Sequence, residues 1–558
     1  MIDRPRLLRV LVPAVLTGVA GILLFVRLDE PARIFFDEVY YVGDARQYLE
    51  VAAEREFAVH PPVGKWLIAA GIALLGDEPF GWRAVGALLG ALSVLLTYLI
   101  GLRLFRRQGP AALAALLLAV DGLWIVQART SMLDIHLAFF VVLGTWLLVV
   151  DRDASGLRDE PPDLPEEEER VLPRRSHPAR ALAGVAFGLA VATKWSGLLP
   201  LVAAIVLAVG WELAWRRRWT GRTRTGIVRG LAAVLVALVV LPGAVYLASY
   251  VPWLVNYEHS YEGAKECTED DVVQDPCAVD PIGRLAGLWR FQRATLRFHL
   301  NLEATHTYRA PAYTWPVMAR PIVYYYETCS EEREKGIATT NDEGEVEQPE
   351  PCVVERDEAA EIIALGNPAL WWGFLLGLPL LAAGVARRDG RAWVVAAVWG
   401  AQFLPWLIVS RPAFFFYMVP VVPFLALGLA YAVVVLEERR SILATLSAAA
   451  VGAAVGFGAG MAGAEALDAE TSSHRWILLG VGWALGGLLG GLLDHRRDRD
   501  VVLAERRRPG RRWTPGVVAG TTVAVLAVAM LVYFLPVWTG EPLPKELIRQ
   551  RWWFDSWV

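Results

Sequence analysis

Long apolar runs alternate with polar breaks along most of this chain. Runs near 7–28, 82–102, 110–126, 132–150, 181–195, 197–215, 229–250, 367–386, 392–409, 413–436, 442–463, 476–493 and 514–535 approach the ~20 residues a transmembrane helix needs. The pattern predicts an all-α polytopic membrane protein with about 11–13 transmembrane helices. The run 63–76 reads either as a further membrane segment or as a helix beside the membrane. Glycine and alanine in the last third (GVGWALGGLLGGLL) suit close helix packing. Three stretches break the apolar rhythm, at 29–81, 151–180 and 251–366.

Charge gives these breaks a side. Arg4, Arg6 and Arg9 precede the first run and place the N-terminus in the cytoplasm. That run is too long for a signal peptide and lacks its cleavage flank. Every second loop is then basic: Arg103, Arg106 and Arg107; Arg174, Arg175 and Arg180; Arg216–Arg218; Arg387, Arg388 and Arg391; Arg439 and Arg440; Arg496 to Arg512. The opposite set, 29–81, 251–366, 464–475 and the tail after 536, falls outside. Segment 251–366 holds 22 acidic and 10 basic residues. The organisation expected is an N-terminal transmembrane module (1–250) whose loop 29–81 carries the chemistry, an extracytoplasmic loop (251–366), and a C-terminal transmembrane module (367–558). Residues 151–180, with Glu166–Glu169, read as a solvated cytoplasmic loop. The stretch 330–350 reads as an acidic mobile segment, and 494–512 as a basic hairpin.

Composition agrees. The chain of 558 residues is 55% hydrophobic and 20% charged, with a mean hydropathy of +0.39. A soluble domain is ~45–50% apolar and ~25% charged. No basic patch interleaved with aromatics suggests a nucleic-acid partner. Cys267, Cys277, Cys329 and Cys352 all fall in the acidic loop without CxxC spacing. They are disulfide candidates in an oxidising compartment, not zinc ligands.

Ionisable groups at membrane depth are costly and usually mark function. The first loop is dense with them (RIFFDEVYYVGDARQYLEVAAEREFAVHPPVGKW). Its middle suits an amphipathic interfacial helix on which Asp37, Tyr41, Asp44 and Tyr48 share a face. Asp37 suits a general base toward a hydroxyl, or equally the cap of that helix. Glu38 points about 100° away, toward a different partner. His60-Pro61-Pro62 ends the helix and presents His60 and Lys65 at the surface. Lys65 could hold a phosphate or simply snorkel. Arg83, outside, runs against the positive-inside bias, so an anionic partner is the natural compensation. Arg129 and Asp134 follow in the next outer turn and also suit a helix-locking pair. Lys194 opens another outer turn and also suits an interfacial anchor. Lys65, Arg83, Arg129 and Lys194 together could ring an anionic lipid headgroup. The outer segment His306–Tyr326 (HTYRAPAYTWPVMARPIVYYY) offers Tyr308, Trp315 and Arg320, suited to sugar stacking or to an interface belt. Gly-rich phosphate loops, HExxH and serine elbows are absent from the sequence, which excludes an ATP-type substrate.

Four runs in order carry a resemblance to a family: Phe36-Asp37-Glu38-Val39-Tyr40-Tyr41; His60-Pro61-Pro62-Val63-Gly64-Lys65 with Gly81-Trp82-Arg83; Arg129-Thr130-Ser131-Met132-Leu133-Asp134; and His306-Thr307-Tyr308 with Trp315-Pro316 and Arg320-Pro321. The chain resembles the protein O-mannosyltransferases of the GT-C membrane glycosyltransferase fold, and among them the bacterial (actinobacterial-type) members. The tail PLPKELIRQRWWFDSWV is similar too, and the resemblance covers essentially the whole chain. It implies a helical bundle with external juxtamembrane helices. It also implies transfer of mannose, with inversion, from a polyprenyl-phosphate donor to Ser/Thr hydroxyls of secreted or membrane proteins. On this resemblance Asp37 is the base and Glu38 orients the acceptor. Arg83, with Lys65, Arg129 and Lys194, holds the donor phosphate. His60, Tyr41, Asp44, Asp134, His306, Tyr308, Trp315 and Arg320 line the acceptor and sugar site. The partners implied are the lipid donor, acceptor polypeptides, the bilayer and the secretion translocon. No metal is assigned, although Asp37, Glu38, Asp44 and His60 are chemically able ligands. The β-trefoil insert of eukaryotic members is missing, and the four cysteines lie outside the family pattern.

Two rivals remain. A related GT-C enzyme could move aminoarabinose or arabinose to a lipid or cell-wall glycan. A lipid-linked sugar transporter would need polar groups through mid-membrane, whereas the spans after 366 are nearly uncharged. The oligosaccharyltransferase run WWDYG is absent, because Gly373 follows Trp371-Trp372.

Overall fold

The computed structural model describes residues 4–557 except 155–176, 220–223, 270–271, 274–277, 304–305, 332–338, 341–345, 348–350, 410, 439–445, 448, 456–479, 491 and 493–513. The Glu166–Glu169 loop, Cys277, the loop 464–475, the basic hairpin and most of 330–350 and 442–463 lie outside the described residues.

The chain is largely helical. Its helices are α1 (Arg4–Phe25), α2 (Glu38–Val51), α3 (Val63–Leu75), α4 (Pro79–Phe105), α5 (Gln108–Ala119), α6 (Gly122–Ala128), α7 (Leu133–Ala154), α8 (Pro178–Thr193), α9 (Leu198–Trp219), α10 (Arg224–Leu235), α11 (Leu241–Ala248), α12 (Pro281–Leu300), α13 (Pro368–Ala386), α14 (Gly390–Phe403), α15 (Val422–Glu438) and α16 (Pro515–Thr539), with short turns between. Local chemistry sets several starts. Pro79, Pro178, Pro281, Pro368 and Pro515 sit in first turns, where a missing N–H costs nothing. Asn367, Asp280 and Thr514 cap with their side chains.

Among the described residues, eight helices are long and apolar enough to cross a membrane, or nine counting the bent pair α5–α6 as one span. The expected 11–13 also counted the run 442–463, which lies mostly outside the described residues, and 476–493, which they cover only in part. The runs at 181–195 and 392–409 form helices of 16 and 14 residues, too short to span alone. The ambiguous run 63–76 is the 13-residue α3. The pair α5–α6 bends by 59°. Asp121 sits at the bend, accepts from Trp124 N at 3.0 Å, and also takes Asn367 N and Trp371 Nε1 at 2.8 and 2.9 Å. That one carboxylate ties the first half of the chain to the last. Gly122 allows the closeness, since a Cβ there would lie 1.9 Å from the Trp538 ring. Burial separates centre from rim: 94% of the apolar window in 415–438 is buried, against 11% in α16.

The two ends of the bundle differ. At one end the basic loops find acids: Arg103 with Asp153, Arg107 with Glu437, Arg180 with Asp151 and Glu212, and Arg391 with Asp389 and Glu438. At the other, the first loop, the 251–366 segment and the tail pack together. There β1 (Ile322–Thr328) pairs antiparallel with β2 (Glu358–Ala364), which pairs with β3 (Leu543–Pro544). A disulfide joins Cys329 to Cys352. Cys267 is also disulfide-bonded. Trp552 of the tail donates to Glu361 at 3.1 Å, and Trp557 to Met318 O at 2.8 Å. Among the described residues, these basic loops gather at one end and the outer segments at the other.

Candidate active site

The site begins at the turn before α2. Phe36 holds φ at 52°, a left-handed conformation that is uncommon for a residue with a side chain. Its ring stacks on Tyr324 at 3.9 Å. This turn sends the next two carboxylates in different directions. Asp37 stands at the N-cap position of α2, yet its side chain makes no capping hydrogen bond. Glu38 enters the helix fully buried.

Glu38 is saturated. It accepts from Arg83 Nε and Nη2 at 2.8 and 2.9 Å, from Ser131 N at 3.0 Å and from Phe35 N at 3.4 Å. Arg83 is saturated as well. Nη1 donates to Leu28 O and Pro31 O at 3.1 and 3.0 Å, and Nη2 also to Arg33 O at 2.9 Å. All five donors of this guanidinium are spent, and none of it is exposed. Arg83 reaches this depth because α4 starts tight against α3: a Cβ on Gly81 would lie 1.9 Å from Gly76 O.

The other expected cations follow the same rule. Arg129 donates to the carbonyls of Leu23, Leu24, Val26 and Arg27 at 2.7–3.2 Å, neutralising the C-terminal end of α1. Lys65, with no exposure, pairs with Glu54 and, at 3.2 Å, with Asp44. The open ring of Lys65, Arg83, Arg129 and Lys194 therefore does not form, because three of the four are buried against partners of their own. Glu38 likewise has no lone pair to spare for orienting an acceptor, and its contacts make it an anchor for the turn that carries Asp37.

Lys194 is different. It bonds both oxygens of Asp134 at 2.8 and 2.9 Å, lies over the Tyr417 and Phe416 rings, and borders an open cavity of about 350 Å³. His60, Asp134, Trp195, His299, Trp406, Arg411 and Tyr417 share that cavity's wall. Asp37 lies close enough to feel both Lys194 and Asp134. Its carboxylate has no hydrogen bond or ion pair among the described residues. Burial pushes its pKa up to about 6, with Lys194 opposing and Asp134 reinforcing the shift. His60 is pushed well below its usual range by burial and by Lys194, His299, Lys65 and Arg411, so it is neutral. Tyr41 packs against His60 with ring centroids 6.1 Å apart.

The aromatic segment divides. Trp315 is buried, donates to Ala310 O at 3.1 Å and backs the cavity wall through Trp406 and Tyr417. His306, Tyr308 and Arg320 gather in a separate cluster outside that wall. Tyr308 N donates to His306 Nδ1, and Arg320 donates to Thr307 O at 2.9 Å with its guanidinium over Tyr308. Nearby Glu361 is pushed up to about 7 by burial, against the hydrogen bond from Trp552. Sequence reasoning passed over Glu361, His299, Trp406, Tyr417 and Arg411. Arg411 carried a readable signal, since it lies outside the 413–436 run and breaks the positive-inside bias as Arg83 does.

A second, apolar groove of about 810 Å³ adjoins the cavity and shares Trp195 and Leu198 with it. Ile205, Leu238, Leu247, Leu288 and Leu296 supply its walls, between α8, α9, α11 and α12. Among the described residues, no three His, Cys, Asp or Glu side chains come together as a metal-ligand set.

Comparisons with known proteins set these features in a family. Residues 14–81 and 77–257 match the family described as dolichyl-phosphate-mannose-protein mannosyltransferase. Residues 284–477 match the C-terminal four-transmembrane region of protein-O-mannosyltransferase. The polyprenol-phosphate-mannose–protein mannosyltransferase of Mycolicibacterium smegmatis (strain MKD8) is 32% identical over 446 residues, 75% of this chain and 80% of its own length. The enzyme of the same description from Mycobacterium tuberculosis is 33% identical over 443 residues, with the same two coverages. The fold is similar to the S. cerevisiae Pmt1-Pmt2 complex bound to its sugar donor, with a TM-score of 0.67 over 98% of this chain and 92% of that one, at 13% identity.

Proposed function

The chain belongs to the dolichyl-phosphate-mannose–protein mannosyltransferase family, a family of membrane glycosyltransferases with the GT-C fold, and we propose that it transfers mannose from a polyprenyl-phosphate mannose to Ser or Thr hydroxyls of acceptor polypeptides. The observation that carries this reading is the free carboxylate of Asp37. It lies within electrostatic reach of Lys194 and Asp134 on the cavity wall, and a pKa of about 6 leaves it ionised but basic near neutral pH.

The chemistry then balances in one displacement. The acceptor hydroxyl gives its proton to Asp37 as its oxygen bonds to the anomeric carbon. The bond from that carbon to the phosphate oxygen breaks, and the phosphate leaves with an added negative charge. Lys194, ion-paired with Asp134 at the cavity wall, adds a nearby positive charge to the site, but its pairing leaves the leaving phosphate to be met by a further cation. Attack opposite the leaving phosphate inverts the anomeric centre, and no covalent enzyme intermediate is needed. The apolar groove sharing Trp195 and Leu198 with the cavity suits the polyprenyl tail. Tyr41, His60 and Tyr417 are placed to line the sugar.

The reading extends to placement. The chain is a multi-pass membrane protein, and the arginine-rich end of the bundle suits the cytoplasmic side of a cell membrane. The site then faces outward, where polypeptides emerging from a translocon would meet it. The base and Lys194 come from the module 1–250, while Trp406, Arg411 and Tyr417 come from 367–558.

The test is direct. Membranes carrying the protein are given labelled polyprenyl-phosphate mannose and a Ser/Thr/Pro-rich peptide, with Asp37→Asn beside wild type. Label should enter the peptide with wild type only, at equal expression. No transfer from wild type, with labelled polyprenyl-phosphate arabinose or aminoarabinose used instead, would overturn the sugar assignment.

A further inference from the structure

The geometry assigns Arg411 as the phosphate-binding cation of the cavity, held in place by His299. This rests on the reading of the donor as a lipid phosphate. Arg411 is half-buried on the same cavity wall as Lys194. Its Nη1 meets His299 Nδ1 at 2.9 Å, and its Nη2 reaches Tyr417 Oη at 3.4 Å. The guanidinium also sits 5.5 and 5.7 Å from the Trp406 and Tyr417 rings. Among the described residues it has no carboxylate partner. Two of its five donors are used, which leaves three.

The cations deep in the bundle are held differently. Arg83, Arg180 and Arg391 each hold a carboxylate, and Arg129 holds four carbonyls. Lys194 is committed to Asp134. A partly desolvated guanidinium without a counter-ion is costly unless an anion completes it. Its free donors form a planar fork suited to two oxygens of one phosphate. When the sugar–phosphate bond breaks, the leaving phosphate gains negative charge, and Arg411 is placed to take it up.

His299 is a positioning residue for this group. Its Nδ1 faces Arg411 and its Nε2 faces Val59 O at 3.2 Å. One neutral tautomer, protonated on Nε2, satisfies both contacts. Its ring is flanked by His60 and Trp195. Burial, Arg411 and Lys194 lower its pKa and so favour the neutral form that Arg411 needs, while the bond to Val59 acts the other way.

The test measures binding of polyprenyl phosphate, the sugar-free product, to the full chain in detergent. The signal is the fluorescence of the cavity tryptophans, and uncharged polyprenol and inorganic phosphate serve as further probes. Arg411→Gln should raise the Kd for polyprenyl phosphate at least tenfold and leave polyprenol binding within twofold of wild type. Arg411→Lys should recover part of the loss. His299→Ala should weaken binding several-fold, and His299→Gln, whose amide can accept and donate in the same two directions, should lose less. Unchanged polyprenyl phosphate binding in a folded Arg411→Gln protein would overturn the assignment. An equal loss of polyprenol binding would overturn it too, since that marks a structural role. Inorganic phosphate binding wild type as tightly as the lipid, with Arg411→Gln affecting only the former, would overturn the lipid as its source. Because the probe carries no sugar, the outcome stands apart from which sugar the enzyme transfers.

Discussion

Two neighbouring regions of this molecule handle charge in opposite ways. At the root of the first loop, Glu38, Arg83, Arg129 and Lys65 are all at most 6% exposed, and each charge is matched by a counter-charge or by carbonyls. Across the turn at Phe36, Asp37 keeps an unpaired carboxylate within electrostatic reach of Lys194 and Asp134, Arg411 borders the cavity with donors left over, and Lys194 is matched once, by Asp134. The first region holds a backbone shape and the second holds reactive capacity. Type and depth of charge alone do not separate them; hydrogen-bond saturation does.

Breaking the saturated region should cost the most. Arg83→Ala strands Glu38 as a buried, unpaired anion, so stability should fall by about 3–5 kcal/mol. Thermal unfolding in detergent measures this, and a variant that melts like wild type would erase the contrast. Asp37→Asn should lower the transfer rate by about 10²–10⁴-fold without lowering the melting temperature. Single-turnover rates beside a melting curve separate the two, and a rate within threefold of wild type would remove Asp37 as base.

The pH profile sharpens the same point. The ionised Asp37 is the active form, so the rate should climb with pH up to about 6 and level off above it. The sign for stability is opposite. With its folded pKa raised, Asp37 costs the fold stability as pH rises from its ordinary range through about 6, and Asp37→Asn removes that dependence. A rate profile without a step near pH 6 in wild type would sink this account. The smallest effect belongs to Arg46→Ala. Arg46 pairs with Asp77 in the same loop, but both are about half exposed. Stability should change by less than about 1 kcal/mol, with transfer unchanged in the same assay.

Much of the architecture was legible in the sequence. Apolar runs marked the helices, and alternating arginine-rich loops sorted the two ends. The face bearing Tyr41 and Tyr48 was visible in the spacing, and α2 buries both. The lengths of single helices were less legible, because α5–α6 bends at Asp121 and α8 and α14 stop short. Pairing was not legible at all. Arg83 and Arg129 had the same outward signature as Arg411, yet the first two are committed to a carboxylate or to a row of carbonyls, while the third meets only His299 and Tyr417 and keeps donors free. Asp121 meets Asn367 across 246 positions, and no local pattern encodes that.

The sequence by itself determined that this is a membrane protein, which loops lie together, which family it resembles and that Asp37 and Glu38 stand side by side. Those follow from hydropathy, charge and motif order, which are local and sum along the chain. Only the tertiary structure decided that Glu38 is locked while Asp37 stays free, and that Arg411 rather than Arg83 faces the cavity with donors to spare. Whether a charged group is satisfied depends on which distant atoms fold against it, and that is a property of the packed molecule.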